Sequence, residues 1–242
     1  MIAYADVGDV AIVDDTDTMH VWILVHPDRS RRGLGTSLLQ HALEFARAHG
    51  RSSLVTAVDR TDKASERWLV KNGFHPAGDL DIRRRQPRES ADLLESGHVD
   101  VLPTAAFGES PEFLEIAARG TASRPLPDGT RVVVSPDEVR EWYFSPTSAG
   151  RVYTVTRNKQ LVAFASVQPA RTAGYSVEPI WAKDSDPALT RALLREIVRD
   201  ADTAGHELVI GLSPLGESGL DEAVSLYGFE SVGGRVTWRR AS

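Results

Sequence analysis

One short stretch concentrates arginine and glycine: Val25-His26-Pro27-Asp28-Arg29-Ser30-Arg31-Arg32-Gly33-Leu34-Gly35-Thr36. It follows an apolar run, Val21-Trp22-Ile23-Leu24-Val25, which reads as a strand, and it opens onto a helical stripe beginning near Leu38. A strand passing through glycines into a helix makes an anion site. The first backbone N–H groups of the helix have no intrahelical acceptor, and the helix dipole adds partial positive charge beside them. Gly33 and Gly35 would let a pyrophosphate reach the backbone, and Arg31 and Arg32 would add charge-assisted donors. No Gly-Lys-Ser/Thr of a Walker A loop is present, and Leu38 stands where a dinucleotide-binding loop needs its third glycine.

The elements around this stretch occur twice. Adding 155 to positions 38–85 aligns the halves without a gap: Leu38-Leu39 on Leu193-Leu194, Ala46 on Ala201, Gly50 on Gly205, Gly73-Phe74 on Gly228-Phe229, Gly78 on Gly233, and Arg84-Arg85 on Arg239-Arg240. In the first copy, Leu38, Leu39, Ala42, Leu43 and Ala46 form the stripe of an amphipathic helix over 36–49, which stops before Gly50. A short apolar strand follows at Leu54–Val58, then a helix over 63–72 ending at Asn72-Gly73, then a strand through Ile82. In the second copy Pro187 starts the long helix after Ser185-Asp186, and Leu208–Leu212 is the next strand. Ala3–Val7 resembles Ala163–Val167, so the second copy has roughly 60 residues (about 103–161) ahead of this strand and the first copy almost none. The expected architecture is α/β: two domains in tandem, 1–92 and 93–242, each a mixed, mostly antiparallel sheet flanked by helices, with the boundary in 86–105.

The segment Val25-His26-Pro27 with Gly33-Leu34-Gly35 resembles the acyl-CoA-binding motif of the GNAT superfamily of N-acetyltransferases, and Trp68-Leu-Val-Lys-Asn-Gly73-Phe74 is similar to the family's second signature. The resemblance covers about residues 1–85. The family's usual Arg or Gln falls on Ser30 here, with Arg29, Arg31 and Arg32 around it. The second copy keeps the scaffold but not the loop. Gly33 becomes Ala188, Gly35 becomes Thr190, and Arg31-Arg32 become Asp186-Pro187, so acidic groups stand where a pyrophosphate would be repelled.

The resemblance implies a fold and an activity: transfer of an acetyl or other short acyl group from acetyl-CoA to a primary amine of a small molecule or peptide, by direct attack. It implies that Ile23 and Val25 line the acyl chain and that Arg31, Arg32, Gly33, Leu34, Gly35 and Thr36 hold the pyrophosphate. An amine is mostly protonated at neutral pH, so a base or water chain must take its proton. The tyrosine that usually protonates the leaving thiolate falls on Leu69, and on Val224 in the second copy. The candidates for proton handling are His20 and Asp59, at opposite ends of strands flanking the acyl site. Asp62 stands at the place of a CoA-contacting Asn. Each of these has a plainer reading as an exposed or capping polar group. Arg83-Arg84-Arg85, repeated as Arg239-Arg240, reads as a solvated strand end, and Trp22 and Trp68 as core or pocket wall. The family's first strand and two helices, which shape the amine side, are missing from the first copy. The second domain, another chain in a homodimer, or residues upstream of Met1 would have to supply that wall.

Composition narrows the partners. With 28 basic and 34 acidic side chains among 242 residues, the net charge of −6 disfavours nucleic acid and anionic membranes. There is no cysteine, which excludes disulfides, thiolate metal sites and Cys nucleophiles, and the histidines lack metal-ligand spacing. The N-terminus has no signal-peptide pattern and no apolar run reaches a membrane span, so the expected location is cytoplasmic. Two readings remain: an acetyltransferase working through its first domain, and a CoA-binding module with little turnover, to which Ser30 and Leu69 point.

Overall fold

A computed structural model describes residues 2–9, 16–88, 99–103, 110–122, 129, 133–143, 150–170, 174–212 and 219–242. Part of the boundary segment 86–105, and His98 within it, lie outside these residues. The chain forms two compact units. The first takes Met1–Leu80 and the C-terminal Gly233–Ser242; the second takes Asp81–Pro125 and Val132–Val232. The sequence repeat divides at 92/93, whereas the second unit begins at Asp81 and the first takes in Gly233–Ser242.

In the first unit β1 (Ala3–Asp9) pairs antiparallel with β2 (Thr18–Val25), and β2 runs parallel to β3 (Ser53–Asp59). The fourth strand is contributed by the end of the chain: β10 (Glu230–Ala241) pairs antiparallel with β3, from Arg235 opposite Asp59 to Ala241 opposite Ser53. The parallel β2–β3 step needs a crossover, supplied by α1 (Leu34–Ala48). Its stripe of Leu39, Ala42, Leu43 and Ala46 is buried with Met19, Val21, Leu54, Phe74 and Trp238, and with Leu69 of α2 (Lys63–Lys71). Leu38, the remaining member of the stripe expected for 36–49, is half-buried.

The second unit has β5 (Asp100–Pro103), β6 (Arg151–Arg157), β7 (Gln160–Pro169) and β8 (Tyr175–Ala182) as successive antiparallel neighbours, then β9 (Leu208–Leu212) parallel to β8. Beyond β9 lie residues Asp81–Arg85 of β4 (His75–Arg85), antiparallel to it. Four helices belong to this half of the chain among the described residues: α3 (Pro111–Ala122), α4 (Pro136–Tyr143), α5 (Pro187–Ala204) and α6 (Leu220–Leu226). Each unit is thus a mixed, mostly antiparallel sheet with helices, as expected. The order β1-β2-α1-β3-α2-β4 recurs as β7-β8-α5-β9-α6-β10, and β5, α3, α4 and β6 fill the extra residues of the second copy.

The last strand of each copy serves the other copy's unit, which the sequence reading did not anticipate. It also corrects the reading of Arg83-Arg84-Arg85 as a solvated strand end. Arg85 is 5% exposed and makes a two-point ion pair with Asp202 of α5 (2.5 and 2.8 Å), while its Nε donates to the Tyr227 carbonyl. Arg83 holds Asp221 at 2.7 Å, and Arg84 holds Glu207 at 3.1 Å. The run is a clamp that fastens β4 into the second unit.

Candidate functional site

The first unit's sheet opens where the arginine- and glycine-rich stretch begins. The β2–β3 ladder holds only from Thr18 opposite Ser53 to His20 opposite Val55. Beyond that point β2 stays paired with β1 as far as Val25, and β3 stays paired with β10 as far as Asp59. The facing edges of Val21–Val25 and Thr56–Asp59 therefore have no ladder between them, and the strands split. Backbone N–H and C=O groups along that split are available to an extended ligand. Ile23 and Val25 lie on the open part of β2, half-buried on the face shared with Val21 and the α1 core.

At the end of β2 the chain makes one 3₁₀ turn, Pro27–Arg29, capped by His26, whose Nδ1 accepts from the Asp28 N–H at 3.3 Å. Two residues then adopt left-handed backbone: Arg31 (φ 59°) and Gly33 (φ 79°). For Gly33 the requirement is conformational, since a Cβ there would meet nothing within 4 Å yet would still force a side chain into the left-handed region. Gly35 differs: a Cβ would meet Trp68 at 3.6 Å and Val25 at 3.7 Å, both ordinary contacts, so it allows close packing without being compelled. Arg31 in a left-handed conformation costs about 1–2 kcal/mol, and no feature of the residue type signals it. Such strain is characteristic of ligand-binding turns.

α1 starts at Leu34 with Gly33 as N-cap and no side chain capping it; the first helical return is from the Ser37 N–H to the Gly33 carbonyl. The N–H groups of Leu34, Gly35 and Thr36 precede that return. Arg31 and Arg32 are exposed and make no ion pair among the described residues. The second copy provides the contrast within the same chain. There α5 begins with Pro187, and the Asp186 carboxylate accepts from the Ala188 N–H at 2.8 Å. One helix N-terminus is open and flanked by free cations; the other is closed by its own carboxylate.

The two proton-handling candidates are not brought together. His20 sits at the closed end of the split, four residues of strand, roughly 13 Å, from the level of Asp59. Its ring lies over Gly8, with Nε2 3.7 Å from Asp6 Oδ2. Asp59 accepts from the Thr61 hydroxyl (2.5 Å) and the Thr61 N–H (2.8 Å), and these bonds hold its carboxyl below the usual range. Asp62 caps α2, accepting from the Ala64 and Ser65 N–H groups and the Ser65 hydroxyl, and is likewise held low, first by Ser65. Asp62→Ala should therefore cost about 0.5–2 kcal/mol of stability and leave ligand affinity unchanged, which thermal melts and titrations of the same variant would check. Leu69 is 3% exposed in the core and Val224 is fully buried, so neither copy has a hydroxyl at that position. Trp68 is half-buried, packed on the core and against Gly35, as core or wall; Trp22 instead stands 43% exposed.

Residues 1–74 match the family model described as Acetyltransferase (GNAT) family. The chain is 33% identical over 112 residues to the tRNA(Met) cytidine acetyltransferase TmcA of Aeropyrum pernix; the match takes 41% of this chain and 15% of that protein. Among solved structures, a GCN5-related N-acetyltransferase from Sphaerobacter thermophilus superposes with a TM-score of 0.70 at 16% identity, over 99% of this chain and 76% of that one. A tandem GNAT protein from the clavulanic acid biosynthesis pathway superposes with a TM-score of 0.65 at 17% identity, over 99% and 83%. These likenesses establish the fold.

Proposed function

We propose that the first unit, whose residues 1–74 match the GNAT acetyltransferase family model, binds acetyl-CoA at the N-terminus of α1 and passes its acetyl, or another short acyl group, to a primary amine. The observation that carries this reading is the contrast between the two long helices: α1 opens on an uncapped N-terminus beside free Arg31 and Arg32, and α5 is closed by Asp186. Acetyl-CoA supplies the acyl carbon: a C–N bond forms to it as its C–S bond breaks, the attacking nitrogen loses a proton and the leaving sulfur gains one.

The chain's own residues divide the remaining work. The N–H groups at the start of α1, with Arg31 and Arg32, neutralise a pyrophosphate. Ile23 and Val25 line the acyl arm in the split, where an unpaired N–H of the β2 edge can polarise the carbonyl. Asp59, held ionised by Thr61, is a weak base. His20, at the closed end of the split, is the other candidate to receive the amine's proton, through water. The buried Leu69 supports the second reading, a CoA-binding module with little turnover, because no hydroxyl stands there to protonate the thiolate.

Calorimetric titration of acetyl-CoA into the whole chain tests the site, with Gly33→Glu alongside. One site per chain is expected, lost in the variant, since glutamate brings negative charge and a strained left-handed backbone to the helix N-terminus. Amine-dependent release of free CoA then separates the two readings; a thiol reagent can follow it without background, because the chain has no cysteine. Binding without turnover across a broad amine panel would select the module. Absence of binding would overturn both.

A further inference from the structure

We infer that the second unit carries a separate pocket for a small zwitterion with an apolar side chain, an α-amino acid in chemical class. A pocket of about 130 Å³, open to solvent, lies between the C-terminal half of α5 and the sheet strands beneath it. Its floor is Val167, Ile197 and Ala201, all core residues, so the recess reaches the apolar interior. One wall is the ring pair of Tyr175 and His206, with centroids 4.7 Å apart. The polar groups are gathered at one side: Asp200 from α5, and Arg151 and Tyr153 from β6.

The charges there match a ligand bearing both signs. Asp200 Oδ2 accepts from the Tyr153 hydroxyl at 3.1 Å, while Arg151 Nη1 stands 3.9 Å from the same oxygen, beyond hydrogen-bond reach. Burial, and then the Asp200 charge, push the Tyr153 hydroxyl up, so it stays protonated and keeps donating. Arg199 reaches Asp200 only at 3.7 Å, its nearer partner being Glu196. The carboxylate thus has lone pairs to spare, and the 63%-exposed Arg151 side chain has donors to spare. A lone cation would be repelled by Arg151 and Arg199, and a lone anion by Asp200. An α-amino acid places its ammonium on Asp200 and its carboxylate on Arg151, with its side chain on the apolar floor.

The internal repeat supplies a control. At the repeat offset Ala201 corresponds to Ala46, a shared packing position, but Asp200 corresponds to Phe45, and β6 has no counterpart among the described residues of the first copy. The polar side of the pocket is therefore particular to one copy, as the open loop is to the other. It also stands apart from the α5 N-terminus: Asp200 is roughly 20 Å along the helix from Pro187.

Calorimetric titration of L-phenylalanine and L-leucine into the whole chain tests this, with phenethylamine and 3-phenylpropionate as the two half-ligands. We expect saturable binding of at least one amino acid at one site per chain, with each half-ligand at least tenfold weaker. Asp200→Asn should weaken the amino acid at least tenfold, and Ala204→Trp, at the exposed rim, should block it. Should Asp200→Asn fail to fold by circular dichroism, the rim variant carries the test. No saturable binding of either amino acid, phenethylamine binding as tightly as phenylalanine, or affinity untouched by Ala204→Trp would each overturn the proposal.

Discussion

Removing residues 230–242 is expected to abolish cooperative folding of the first unit, although the deleted strand lies at the far end of the chain from β1–β3. β10 pairs seven residues with β3, and the terminal Ser242 is tied in by two further bonds, its N–H to the Ser52 carbonyl and its hydroxyl to the Arg51 carbonyl. Without it the outer edge of β3 is bare, and Trp238, 3% exposed, leaves the cluster it shares with Leu39, Leu43, Leu54 and Phe74. A tryptophan buries on the order of 150–250 Å², worth roughly 4–6 kcal/mol at about 25 cal/mol/Å² as an upper bound. A domain has only about 5–15 kcal/mol in total. The point variant Trp238→Ala should by itself cost about 3–5 kcal/mol. Urea titration followed by circular dichroism would check both, and a chain of residues 1–229 that unfolds with the amplitude and midpoint of the whole protein would refute the role assigned to β10.

This dependence was hidden in the sequence for a physical reason. β4 and β10 are the same element of the repeat, aligned through Gly78 and Gly233 and through Arg84-Arg85 and Arg239-Arg240, so either strand has the pattern to fill either slot. What distinguishes the slots is three-dimensional. Trp238 lies opposite Thr56 in the first unit, and the corresponding place in the second, opposite Gly211, holds Ile82. Ala241 lies opposite Ser53, where the second unit has Arg85 opposite Leu208. Spacing along one chain carries no information about which of two similar sheets a strand joins.

The site was more readable, because its determinants are local. Open helix N-termini are made by residue types at fixed offsets: a glycine at the N-cap, no Asp, Ser or Thr to close it, and cations before it. Comparing Arg31-Arg32-Gly33 with Asp186-Pro187-Ala188 already separates the two copies, and the geometry of α1 and α5 follows that difference. Proton handling was less readable. Asp59 and Asp62 are carboxylates in the expected place, but a Thr two residues after one and a Ser three after the other turn them into local hydrogen-bond acceptors. That neighbourhood is visible in sequence, and it favours the plain reading over the chemical one.

Breaking the Arg85–Asp202 pair is the other change with a large expected effect, and it should fall on the second unit. Both side chains are 5% exposed, and the Asp202 carboxylate also takes the Arg88 N–H at 2.9 Å. Arg85→Ala would leave a buried carboxylate without its main partner, at a cost of about 3–5 kcal/mol; at a urea slope near 2 kcal/mol/M that lowers the midpoint by roughly 2 M. The double change Arg85→Met with Asp202→Leu should recover most of the loss, because it removes the desolvation cost along with the attraction. Burial raises the Asp202 carboxyl, but the hydrogen bonds from Arg85 and Arg88 and their charges outweigh it and hold the group below its ordinary value. A depressed carboxylate stabilises the fold fully above its unfolded value, near pH 4, and the contribution fades as pH falls through the folded value. Acid titration of Asp202→Asn should therefore show a weaker loss of stability below about pH 4 than the parent chain. The pair also accounts for the choice of strand. At the repeat offset Asp202 corresponds to Arg47, so Arg85 in the first unit would approach a like charge, and the small Ala241 stands in that slot instead. Asp202→Arg should consequently destabilise the second unit more than Asp202→Ala, by adding repulsion to the lost attraction.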